Sequence, residues 1–230
     1  MPTLLIELAG PQQAWGSRSR FATRDTERAP TRSGVIGMLA AALGIRRTGS
    51  LERFDALEYG VRIDQPGQIE RDFQTARTLD GRTSMPLSER FYLADAVFLA
   101  GFGSPDRREL EGLQHALAHP VFPLYLGRRA FPPAGPLNAQ VVDTALRDAL
   151  KTAEWRATDS YRRRLGVGVP ALEILLDAKP GETADLSLRD VPRSYDPRRR
   201  RHDWRDVRVE RTQLGNRPHD PLILVSEEEV

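Results

Sequence analysis

The chain has 230 residues, 40% of them hydrophobic and 29% charged, enough apolar content for a packed core and too much for a disordered polymer. It has no cysteine and a formal net charge of +2, which excludes disulfides and thiolate metal sites and leaves no overall field to drive partner binding. The lack of cysteine fits a reducing cytoplasm, the longest nearly apolar stretch (35–45) is too short to cross a bilayer, and Met1-Pro2-Thr3 runs into Leu4-Leu5-Ile6 with no basic leader.

Residues 3–8 read as a buried first strand, broken by Ala9-Gly10-Pro11. Residues 11–30 form a polar, arginine-bearing loop, and a loop of that length in a compact domain is usually functional. Residues 31–43 are the clearest helix: Thr31 or Ser33 caps its start and Gly44 ends it. Gly34, Gly37 and three alanines make one face of that helix small, so something packs closely there. A short helix is expected at 50–57 and strands at 59–64, 68–77 and 90–102. The turn-rich segment 79–86 between the last two makes a protruding hairpin. A helix over 106–118 and a strand over 121–126 follow.

This order of strand, helix, strand, strand, helix, strand resembles the split βαββαβ unit of ferredoxin-like domains. The expected fold is therefore α+β. A core at 1–137 carries a hairpin thumb at about 70–95, and a β-rich extension at 138–230 packs on that core. The extension holds a helix at 143–155, a strand at 171–177, an arginine-heavy stretch at 193–211 and an acidic tail.

Of 34 basic residues only Lys151 and Lys179 are lysines. That bias fits either a GC-rich genome or recognition of phosphates and base faces by the guanidinium fork. Three constellations stand out. Arg24, Arg28 and Arg32 flank the helix start at Thr31, where free N–H groups suit an anion, though a capped helix with solvated arginines gives the same pattern. Gly127-Arg128-Arg129 suits close backbone approach and phosphate pairing, or an ordinary turn. Arg198 to Arg201, flanked by Tyr195 and Trp204, suits stacked single-stranded nucleic acid, or a solvated loop. The loops are expected to bring Arg24, Thr31, Arg32 and Ser33 near Gly127, Arg128 and Arg129. Arg90 and Tyr92 would add charge and stacking from the hairpin. Catalysis has little support: of His115, His119, His202 and His219, only His202 is placed for acid–base work, and no nucleophile elbow, phosphate loop or paired-carboxylate motif is present.

Leu8 to Gly16, then Arg24, Pro30 to Gly37 and Ala41 to Ile45 closely resemble the CasD family of type I-E CRISPR Cascade subunits, in the repeat-associated (RAMP) superfamily. Tyr125 to Arg129 and Pro132 to Leu137 match that family's second signature, and Arg71 to Thr75 with Arg90 to Ala96 resemble its central hairpin. The resemblance implies a ferredoxin-like, RNA-recognition-type core with a thumb-like hairpin at about 70–95, in a non-catalytic RNA-binding subunit of antiviral defence that holds the 5′ handle of the CRISPR RNA. It implies contacts with the backbone subunit CasC and the large subunit CasA, with target DNA met only through the complex, and no cofactor, metal or membrane. Trp15, Arg20, Arg24, Thr31, Arg32, Ser33, Arg90, Tyr92, Gly127, Arg128 and Arg129 are the expected RNA contacts. Gln74 stands where some relatives carry histidine, so that contact does not carry over. The alternative is a metal-free endoribonuclease with His202 as base. Related type I-C subunits cleave with a tyrosine, lysine and histidine set, which two late lysines make hard to assemble here.

Overall fold

A computed structural model describes residues 1–17, 23–166 and 170–212; Arg20, His219 and the acidic tail lie outside the described residues. Strand β1 (Thr3–Ala9) owes its nearly continuous apolar run to burial on both faces. Leu4, Ile6 and Leu8 point into one core cluster, and Leu5 points into another on the opposite side. The same logic gives β7 (Val97–Gly103), fully buried along its length and antiparallel to β1 with Leu5 opposite Gly101.

β1 and β7 are neighbours inside a seven-stranded sheet. The remaining strands are β4 (Glu58–Gln65), β8 (Ala139–Val142), β9 (Leu172–Asp177), β10 (Leu186–Ser194) and β11 (Arg201–Thr212). The order is β10-β11-β9-β4-β7-β1-β8, and every neighbour is antiparallel. Helices α1 (Arg32–Ala42) and α2 (Arg107–Ala118) pack into the Leu4–Ile6–Leu8 cluster, while α3 (Leu146–Thr152) covers the other face through Leu146, Ala149 and Leu150. No helix among the described residues is long and apolar enough to cross a membrane.

The helix ends follow the sequence closely. Thr31 caps α1 by accepting from the Gly34 N–H, and Asp106 caps α2 by accepting from Arg108 and Glu109. Gly44 leaves α1 with φ +75°.

Four expected elements are corrected. Segment 121–126 is not a strand: the N–H groups of Val121 and Phe122 donate to the Ala42 and Ala41 carbonyls, so the segment satisfies the C-terminal end of α1. The strand beside β1 is instead β8, with Thr3 opposite Val142. The expected strand at 90–102 is two, because Asp95 takes a φ of 54° and breaks it into β6 (Ser88–Ala94) and β7. The helix expected at 50–57 is a single 3-10 turn, Glu52–Phe54, and the helix expected at 143–155 is the shorter α3 followed by α4 (Asp159–Leu165).

β6 pairs with β5 (Gln68–Gln74) to form the hairpin. β2 (Gln12–Gln13) and β3 (Thr23–Arg24) line its other edge, so the 11–30 loop is stitched to the hairpin root. Residues 73–87 are all exposed, and the hairpin projects.

The C-terminal strands join β4 through β9 and are locked there by ions. Arg205 binds Asp190 through Nε (2.7 Å) and Nη2 (3.0 Å), and its Nη1 reaches Asp177 at 2.7 Å. Arg32 binds the other Asp177 oxygen at 2.6 Å and donates to the Phe54 and Leu57 carbonyls. Arg205 also lies 5.2 Å above the Tyr59 ring, whose hydroxyl donates to Pro30 and is held above its usual pKa by burial. A second pair, Arg62–Asp64, is wholly buried, and its guanidinium donates to the Leu150, Ala153 and Glu154 carbonyls at the end of α3.

Arg205→Ala strands the fully buried Asp190 carboxylate without its bidentate partner. The expected loss is about 3–5 kcal/mol of stability, read as a lower urea midpoint with an unchanged slope.

Candidate nucleic-acid interface

The start of α1 is already occupied from within the chain. Its first amide, Arg32 N–H, donates to Asp190 Oδ2 at 2.8 Å, so the chain's own carboxylate sits where an anion was expected. Thr31 is 2% exposed and spent on capping, Arg32 is 6% exposed inside the ion network, and the Ser33 carbonyl accepts from the Tyr195 hydroxyl. Thr31 and Arg32 hold α1 in place, while Ser33, 8% exposed, also lines a groove along α1 that holds Arg129.

Trp15 is likewise an anchor. It is fully buried, its indole N–H donates to Gln13 Oε1 (3.1 Å), and its backbone joins Thr26 and Glu27. Its ring lies flush on Gly34, where an added Cβ would come within 2.6 Å of Cε3. No face of the indole is open to a base. Gly127 has φ +83°, as a close backbone approach requires, but the neighbour is internal: a Cβ there would overlap the Ala14 carbonyl oxygen.

Of the remaining predicted residues, Arg24, Arg90 and Arg128 converge beside Tyr92. Arg128 Nη2 donates to the Arg24 carbonyl at 2.7 Å. Burial, and then the nearby Arg90 and Arg24, hold Arg128 below its usual pKa. Tyr92 donates to Glu70 at 3.0 Å, and its ring sits 5.6 Å from Phe131. The hydrogen bond to Glu70, the largest influence, raises the Tyr92 pKa.

Arg129 belongs elsewhere, to a groove of about 890 Å³ along α1. Gly34, Gly37, Ala40 and Ala41 make its floor. One wall is the 122–132 segment; the other is the β10–β11 turn, with Tyr195, Pro197 and Arg200. Arg46, Arg47, Arg129 and Arg200 line it together with Phe122 and Tyr125, and no carboxylate does. Arg200 stands 6.0 Å from the Tyr195 ring, whose hydroxyl is raised in pKa chiefly by burial. Of the run Arg198 to Arg201, this is the member that the groove uses. Arg46 and Arg47 were not singled out from the sequence. The signal was the small face of α1, which marks the floor of the groove they close. A second cavity of about 460 Å³ at the hairpin root is lined by Ile63, Ile69, Leu93 and Tyr161 with Arg28, Asp64 and Glu173, so its charge is mixed.

His115 and His119 face each other at the exposed end of α2, ring centroids 4.5 Å apart. Among the described residues no group of three or more metal-ligating side chains is present.

This mostly antiparallel α+β protein, with an acid-free arginine groove and a projecting hairpin, falls in the class of CRISPR-associated proteins: the family model described as CRISPR-associated protein (Cas_Cas5) matches residues 3–208. The chain belongs to the Cas5 family. Among curated proteins it resembles the CRISPR system Cascade subunit CasD of Escherichia coli (strain K12), 34% identical over 153 residues that cover 58% of this chain and 68% of the relative. Among solved structures it resembles a chain of a CRISPR RNA-guided surveillance complex, with a TM-score of 0.74, 32% identity, and coverage of 92% of this chain and 90% of that one. A crystal structure of a Cas protein aligns with a TM-score of 0.71 and 37% identity over 92% of this chain and 95% of that one.

Gly127→Ala is expected to destabilise the fold by at least about 1–3 kcal/mol from the left-handed backbone alone, with the Ala14 overlap added. A lowered melting temperature in the absence of any RNA checks this. His202 is held below its usual value of 6.5 by burial, then by Arg200 and Arg189, with Asp190 opposing. The unfolded chain therefore takes up this proton first, so stability falls as the pH drops below about 6.5 toward the depressed folded value. His202→Gln should flatten the fall in melting temperature between about pH 6.5 and 5.

Proposed function

We propose that this chain is the Cascade-type subunit that holds the 5′ handle of the CRISPR RNA in the cytoplasm, without cutting it. The acid-free groove along α1 carries this reading. Four arginines on three separate segments face one channel with Tyr125, Tyr195 and Phe122, a combination that pairs phosphates and stacks bases of a single strand. Likeness to the Escherichia coli CasD and to a chain of an RNA-guided surveillance complex supports the assembly context. CasC and CasA are the proposed protein neighbours, and target DNA is met through the assembled complex. The ferredoxin-like reading of the core also belongs here. Strands β8-β1-β7-β4, with α1 and α2 as the crossovers, follow the order and alternation of a split βαββαβ unit.

One observation favours the endoribonuclease alternative: a depressed pKa keeps His202 neutral near pH 7, beside Arg200 at the groove wall. Against it, the neighbouring Tyr195 hydroxyl is committed to Ser33.

The Arg129→Gln, Arg200→Gln double variant is expected to fold normally and to lower the salt slope of single-stranded RNA binding by about 1.4, roughly 0.7 for each lost phosphate contact. Handle-RNA affinity across a salt series measures it, and an unchanged slope places the RNA outside the groove. Incubation of repeat RNA with the purified chain and with His202→Ala decides the alternative: cleavage lost in the variant establishes the nuclease.

A further inference from the structure

Outside the α1 groove, Arg24 on β3, Arg90 on β6 and Arg128 after Gly127 meet at the root of the hairpin. β3 and β6 are parallel, with Arg24 and Arg90 as direct partners, so two like charges sit side by side on one face. Arg128 is fastened to them by its bonds to the Arg24 carbonyl (2.7 Å) and, more weakly, the Asp25 carbonyl (3.4 Å). Arg90 Nε and Arg128 Nη1 are buried donors with no hydrogen-bond partner.

Three carboxylates lie near, one of which, Glu70 on β5, accepts from the Tyr92 hydroxyl. Asp25 accepts from the Thr26 N–H and acts favourably on Arg128. Asp72, opposite Arg90 on β5, accepts from Gln74 Nε2 at 2.6 Å. Among the described residues none of the three guanidiniums forms an ion pair with a carboxylate. Three cations held together by backbone, with buried donors unused, are what a bound oxyanion would complete.

We propose that Arg24, Arg90 and Arg128 bind one phosphate group, and that this phosphate fastens the root of the hairpin to the 11–30 loop and to the segment after Gly127. Its source, a phosphodiester of a bound single strand, rests on the RNA-binding reading above. The Tyr92–Phe131 pair, with Arg128 6.0 Å from the Phe131 ring, offers the adjoining base a stacking face. Without the anion, mutual repulsion of the three arginines loosens the joint; with it, three segments distant in sequence close on one ligand.

The repulsion sets the sign of the test. The full chain is melted in chloride and in inorganic phosphate at matched ionic strength, and is titrated with a short single-stranded oligoribonucleotide. Phosphate is expected to raise the melting temperature beyond chloride, in a saturating manner. Arg90→Gln and Arg128→Gln lose that increment and weaken oligoribonucleotide binding roughly tenfold or more. Arg90→Gln melts in chloride at or above the parent temperature, because it relieves the clash of charges. Arg82→Gln, at the exposed tip (side chain 87% exposed), keeps the increment.

No phosphate increment in the parent chain, an increment that survives both substitutions, or an Arg90→Gln chain that melts well below the parent in chloride overturns the site. Oligoribonucleotide binding that persists unchanged while phosphate has no effect removes this site and leaves the RNA-binding reading standing. A phosphate increment that both variants lose, with no RNA binding in the parent, supports the site and removes the RNA reading instead.

Discussion

Asp190 is the residue on which the arrangement turns. It is fully buried, and it accepts from the first amide of α1 and from two nitrogens of Arg205. A carboxylate so placed would be prohibitively costly alone and is retained because a helix end and a guanidinium share it. The sharing joins β10 to α1 and β11, and through Asp177 the same network reaches Arg32 and the backbone of Tyr59 on β4. The outer strands of the sheet and the helix on its face are thereby fixed to each other. The wall of the groove, which includes Tyr195 and Arg200 from the β10–β11 turn, inherits its position from that joint.

The internal carboxylate also takes the helix start out of reach of any outside anion. With the α1 start filled, the cations along the groove are those on segments that return to the helix from elsewhere: Arg46 and Arg47 beyond its end, Arg129 from the 122–132 segment and Arg200 from the turn. The floor between them is small because Gly34 and Gly37 sit under Trp15 and Tyr195, so the chain approaches the helix backbone without closing the channel. Net charge says little about this surface. A chain at +2 overall presents a groove with four arginines and no acid, because its carboxylates are consumed in buried pairs such as Arg62–Asp64 and in surface pairs on other faces.

Sequence periodicity and capping were sufficient for β1, α1, β4, α2 and β9, where local signals and the final packing agree. They failed where a long-range partner decides. Residues 121–126 look like a strand by composition, but their N–H groups complete the end of α1, and no local pattern announces that. The break at Asp95 is equally silent, since a positive φ at a non-glycine residue is imposed by the surroundings. Among the site residues, the pairing of Arg24 with Arg128 was legible from motif logic, and the burial of Trp15 and Arg32 was not. An arginine or tryptophan beside a functional loop reads as a contact residue until its partners are known, and Arg32's partners include Asp177, 145 positions away. The family resemblance pointed to these segments, while coordinates were needed to separate their buried residues from those that reach the surface.

The ion network also has a consequence for the order in which the chain is made. Helix α1 leaves a ribosome early, but the groups that satisfy Arg32 and the first amide of α1 sit on β9 and β10, and Asp190 in turn waits for Arg205. Until about that point in synthesis, a half-formed sheet edge at β4 and an unpaired arginine at the head of α1 stand open, a state prone to wrong partners. Contacts of such sequence separation also slow folding, because the loop must close before they reward it. Maturation of this protein is therefore gated by β10 and β11, and a nascent chain halted before β11 carries α1 to α4 while lacking the joint that holds α1.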